Sequence, residues 1–136
     1  MSSIVEFFIA PGDDAAAAVA DHGPDRVNEV ARYGNFDPVT TTGEWESSFG
    51  ITGDDGPRII AGDGRPLVLA VSASLQAALS AADEEHLAEA AARWVELSAG
   101  DGEEIHPEFA SDLLSEIASL ARTATHRGHR LYYWWG

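Results

Sequence analysis

The chain has 136 residues, of which Asp and Glu supply 23 and Lys plus Arg only 8, for a formal charge of −15. Every cation among those 8 is arginine, and cysteine is absent. These totals exclude disulfides, thiolate metal sites, iron–sulfur clusters and cysteine nucleophiles, and the negative field opposes nucleic-acid backbones and anionic membrane surfaces.

Hydrophobic residues make up 45 %, too many for a disordered acidic tail. The length suits one globular domain over residues 1–136, with a core that closes without staples. Richness in alanine and exclusive use of arginine over lysine are what a high-GC bacterial genome encodes.

Ile4 to Ile9 is rich in β-branched and aromatic types and stops at Pro11-Gly12, which predicts a first strand. No basic region precedes it, the run is short and Glu6 interrupts it, so it is neither a signal peptide nor a membrane span, and a soluble cytoplasmic protein is expected. Asp13-Asp14 before an alanine run predicts a helix start. Pro24, with Val27, Val30 and Ala31 at helical spacing and Gly34 as the stop, predicts a second helix. Asp37-Pro38 opens a third, with Trp45 and Phe49 on one face.

Glycines punctuate residues 50–66, a long loop in which Arg58 to Ala61 forms a short strand and turns at Gly62-Asp63-Gly64 into the apolar run Pro66 to Val71. Ser72 or Ser74 caps the next helix, through Leu75 and Leu79. Asp83 starts a longer one with the stripe Leu87, Ala91, Trp94 and Val95, ended by Gly100. The last helix begins at Pro107, carries Phe109, Leu113, Ile117, Leu120 and Ala124 on one face, and stops at Gly128. His129 to Trp135 is a terminal strand. The expected fold class is α+β or α/β: one domain with a small mixed sheet of about three to five strands packed by helices, its amphipathic last helix running into an aromatic strand.

Three of these features arrive together: the opening strand Ile4-Val5-Glu6-Phe7-Phe8-Ile9, the Leu67 to Ser72 strand with its following helices, and a final helix through Ala121, Ala124 and His126-Arg127-Gly128 into Leu131-Tyr132-Tyr133-Trp134-Trp135. The layout resembles the YfbM-like family of small bacterial proteins, over residues 66–135 and more loosely the start. That pattern has a Trp followed closely by His and Leu in its middle. Here Trp45 is followed by Glu46-Ser47-Ser48-Phe49, so whatever that His does is absent. The resemblance implies an α/β fold, a cytoplasmic protein and no activity.

Residues 122–130 hold Arg122, His126, Arg127, His129 and Arg130 without one acid. Arginine forks match phosphates and carboxylates, so this island is a candidate anion or partner contact, set against plain complementation of a helix C-terminus. His126 and His129 have metal-like spacing, but Gly128 breaks the helix between them. Glu44 and Glu46 flank Trp45, yet two residues apart on a helix they diverge, which suits solvated acids around a core anchor. Asp54-Asp55-Gly56 and Gly62-Asp63-Gly64 lack the calcium-loop pattern. Tyr132, Tyr133, Trp134 and Trp135 alternate between the two faces of their strand: core if both faces are covered, a candidate aromatic interface if one is open.

No catalytic residue, cofactor or metal is assigned. The favoured function is a non-catalytic protein-interaction module, inhibitor- or immunity-like, with an unidentified protein partner, no nucleic acid and no membrane, as a monomer or weak homodimer. The alternative is a small enzyme or anion-binding protein that uses the 122–130 island and an acid from the 50–66 loop.

Overall fold

The computed structural model describes residues 4–21, 23, 30–34, 37–51, 57–62, 64, 66–100, 102 and 104–136. In chain order the elements are β1 (Ile4–Ala10), α1 (Asp13–Ala17), β2 (Val30–Gly34), α2 (Pro38–Ser48), β3 (Arg58–Ala61), β4 (Leu67–Ala70), α3 (Ala73–Ala81), α4 (Glu84–Gly100), α5 (Pro107–Arg127) and β5 (Arg130–Trp135). The strands form one 5-stranded sheet in the order β2-β1-β5-β4-β3. The fold is α+β.

Among the described residues all the pairings are antiparallel, so the sheet they form is not mixed and the α/β alternative falls away. The reason lies between β4 and β5. The Val71 amide donates to the Leu131 carbonyl at 3.0 Å, so the three helices between these strands return the chain to the sheet end it left. β5 then has to run back along β4 rather than beside it.

Helix starts follow local chemistry. Asp37 caps α2 by accepting from the Val39 and Thr40 amides at 2.9 and 3.3 Å. Ser72, rather than Ser74, caps α3 through the Leu75 amide at 3.1 Å. Gly128 closes α5 in the left-handed conformation, φ 71°. β3 and β4 form the expected hairpin, with a register shift between Ile59 and Ala61.

Residues 30–34 depart from expectation. They form strand β2, paired from Phe8↔Val30 to Ile4↔Gly34, where helical spacing predicted a helix. The open edge of β1 offers backbone partners to this segment, and tertiary pairing overrides a weak local preference. The earlier part of that expected helix, with Val27, lies outside the described residues.

The sheet is covered on both sides. α5 packs on β1 and β5, and α3 and α4 pack on α5. On that side Phe7, Leu69, Leu131 and Tyr133 join Trp45, Leu75, Trp94, Leu114 and Ile117 in the main core. The other side carries a smaller cluster of Phe8, Ala10, Val68, Ala70 and Tyr132 beneath Ala16 of α1. Among the described residues no helix is long and apolar enough to cross a membrane.

Candidate functional site

The basic island does not act as one unit. Arg122 is drawn to the α3–α4 corner, where it donates to the Ala82 carbonyl at 2.8 Å. His126 and Arg127 lie exposed at the end of α5, and Arg127 is engaged there. His129 is half-buried, its amide bound to the Ala124 carbonyl at 2.7 Å and its own carbonyl accepting from Gln76 at 3.2 Å. Gly128 turns the backbone out of the helix between the two histidines. Among the described residues no group of His, Asp or Glu gathers as metal ligands.

Arg130 belongs to a different cluster. β5 pairing places it opposite Ala10, on the sheet face that α1 covers. The row Arg58, Ala70, Tyr132 and Phe8 runs across the same face. Asp13, at the start of α1, sits over that row, accepting from the Tyr132 hydroxyl at 2.9 Å and from Arg58 Nη1 at 3.2 Å. These bonds and the nearby Arg58 and Arg130 charges hold the Asp13 carboxyl below its ordinary value. Burial, with Asp13 second, raises the Tyr132 phenol to about 12. An open depression of about 420 Å³, lined by Pro11 to Ala15, adjoins the cluster.

Arg58, midway through residues 50–66, and Arg130 of the island thus act on the same carboxylate, although neither histidine joins them. An interaction that lowers a carboxyl's pKa stabilises the fold fully above the ordinary value of 3.8 and is lost as pH falls through the depressed one. Asp13→Asn is therefore expected to lower the thermal midpoint at neutral pH, and the gap to wild type is expected to close in acid. A gap that stays constant to low pH would show that the carboxylate charge is not what ties α1 to the sheet.

The aromatic strand is core. Tyr132 and Tyr133 are fully buried because both faces of the sheet are covered, so neither is a surface anchor. Trp134 and Trp135 keep part of their rings at the surface, and Trp134 Nε1 donates to the Ala20 carbonyl at 2.8 Å. Glu44 and Glu46 diverge as helical spacing requires. Glu44 accepts from Trp94 Nε1 at 3.3 Å, whereas Glu46 accepts from the Ser72 hydroxyl at 2.9 Å. The turn at Asp54-Asp55-Gly56 lies outside the described residues, as does Asp63.

Some features gave no signal in the sequence. Glu6, read as a break in an apolar run, is buried in β1 beside Trp134 and is engaged there. A second cavity, about 210 Å³, opens between α2, α3 and α4, lined by Phe49, Ala78, Ala81, Ala82 and His86. At its rim the Asp83 carboxylate lies 2.7 Å from His86 Nδ1 and holds the imidazole above its ordinary value.

The outer helices α4 and α5 carry many exposed carboxylates. Glu84, Glu85, Glu89 and Glu96 on α4 and Glu108, Asp112 and Glu116 on α5 are all exposed. Arg93, the cation of α4, instead turns to the Ser48 carbonyl at 2.9 Å. Comparison with known proteins yields no match among family models, curated proteins or solved structures.

Proposed function

We propose that the chain is a non-catalytic interaction module that docks a cationic protein partner on the acidic outer surface of α4 and α5. The observation that carries this reading is the concentration of exposed carboxylates there, while Arg93 and Arg122 are drawn to the backbone carbonyls of Ser48 and Ala82. Like charges crowded on a folded surface cost stability, and a partner of opposite charge relieves that cost and steers its own approach. An inhibitor- or immunity-like role in the cytoplasm, as a monomer or weak homodimer, fits this chemistry. The likeness to the YfbM-like layout is part of the same proposal, and it assigns no competing activity.

A second reading, an anion site or small enzyme, rests on Arg58 and Arg130 converging near Asp13. It is weaker because the Asp13 carboxylate already takes the bond that an incoming anion would need.

The test is capture of a protein partner, followed by titration of the purified pair. Screening length shortens from about 30 Å at 0.01 M salt to about 3 Å at 1 M. Binding is therefore expected to be strong in low salt, to fade in high salt, and to weaken when Glu85, Glu89 and Glu96 are changed to Gln. A partner whose affinity ignores both salt and these substitutions would overturn the acidic-face reading.

A further inference from the structure

We infer that the cavity between α2, α3 and α4 is an anchor socket, which receives an apolar side chain borne on a lysine- or arginine-rich segment of the partner. This inference rests on the interaction-module reading and adds to it the place where the partner is held.

Composition creates the socket. Ala78, Ala81 and Ala82 line it with small side chains, and Phe49, at the C-terminal end of α2, adds an aromatic one. Larger side chains at these α3 positions would fill the gap and bury it in the fold. As it stands, an apolar hollow of about 210 Å³ faces outward. Pockets that take whole small molecules run from roughly 300 Å³ upward, so the hollow suits a single leucine- or phenylalanine-sized group better than a free metabolite.

The surroundings select the sign of the partner. Asp83 sits at the rim, 2.7 Å from His86 Nδ1, and Glu85 and Glu89 of the first turns of α4 add their charge to the field at the His86 ring. Asp83, Glu84, Glu85 and Glu89 are exposed. Arg122, bonded to the Ala82 carbonyl on the wall, keeps its positive charge there, and the four carboxylates outnumber Arg122 and His86. An anionic ligand would enter against this field, whereas a segment with basic residues on either side of an apolar one meets both features at once. Interfaces concentrate their binding energy in a few anchors seated in well-packed pockets from which the surrounding contacts exclude water.

The experiment uses the whole chain and a synthetic probe: a fluorescein-labelled lysine-rich amphipathic helical peptide with a leucine row, and its twin with those leucines changed to alanine. Fluorescence polarisation gives the affinities, and amide shift perturbation maps the contact. The leucine peptide is expected to bind at least about tenfold more tightly than the alanine twin, the gain expected from burying one such side chain. Its perturbations should include Phe49, Ala78, Ala81, Ala82 and His86. Ala81→Phe should erase the leucine advantage while leaving the salt-dependent binding of the alanine peptide in place. Ala81 is exposed, so the larger ring does not press on the core.

If leucine and alanine peptides bind alike and the shifts fall only on the acidic helix surfaces, the socket inference fails and the acidic-face reading stands. If neither peptide binds in low salt, the interaction reading fails and the socket with it.

Discussion

Replacing Trp45 by alanine is expected to remove about 3–5 kcal/mol of unfolding free energy, the usual cost of deleting a large buried aromatic. For a domain whose whole stability is about 5–15 kcal/mol, that is a large share. Trp45 is fully buried and ties α2 to both the sheet and α4. Its ring lies 5.6 Å from Phe7 of β1 and 5.5 Å from Trp94 of α4, edge-on to the latter at 89°. Removing it opens a hole at the junction of sheet, α2 and α4, where no single neighbour can close in.

Trp45→Phe should cost less than half as much. The indole Nε1 has no hydrogen-bond partner among the described residues, so the phenyl ring gives up volume and also removes a buried donor that they do not satisfy. Guanidinium unfolding followed by far-ultraviolet circular dichroism measures both variants. A loss below about 1 kcal/mol for Trp45→Ala, well short of the usual range for such deletions, would mean that α2 is not anchored through this ring.

The second large effect is backbone-borne. Gly62 enters the β3–β4 turn with φ 103°, and a Cβ there would lie 2.6 Å from the Pro66 carbonyl oxygen and 3.2 Å from that of Gly64. Gly62→Ala therefore combines an unfavourable backbone conformation with a collision against main chain that the hairpin holds in place. The expected cost is about 2–3 kcal/mol. Gly128 provides the control, because its φ is 71° but none of the described residues lies within 4 Å of a Cβ built there. Gly128→Ala should cost only the conformational part, about 1–2 kcal/mol. Equal losses in the two variants, measured by the same denaturant titration, would show that the collision at Gly62 is relieved by movement of the turn.

These expectations mark out what the sequence carried. Elements whose ends are set by local chemistry were legible: Asp37 and Ser72 as caps, Gly128 as a stop, and the apolar stripe of α5 from Leu113 to Ala124, although Phe109, expected on that stripe, is exposed. The alternation of Leu131 to Trp135 was legible too, but whether both faces would be covered was not, since α1 and α5 come from opposite ends of the chain. β2 was missed because Val30 and Ala31 satisfy helical spacing, and only the edge of β1 decides against it. The basic island looked coherent because its members are neighbours in sequence. In space, Arg122 turns to the helix corner and Arg130 to the sheet.

The proposed socket left no trace in the sequence for a different reason. Its walls are defined by the volume that Ala78, Ala81 and Ala82 do not occupy, and alanines in a helix are otherwise read as propensity alone. Glu6 was hidden in the same way, since a carboxylate in a strand signals exposure until the opposite face is known to be covered.

The position of β5 at the middle of the sheet governs the order in which the molecule can be assembled. Without it the strands are two separate ribbons, β1 with β2 and β3 with β4, and neither touches the other through hydrogen bonds. On a ribosome the segment that joins them emerges after everything it joins. Residues 4–10 must wait for residues 130–135 before their second neighbour exists. Until β5 arrives, the facing edges of β1 and β4 are unpaired, the kind of edge that invites pairing with another strand.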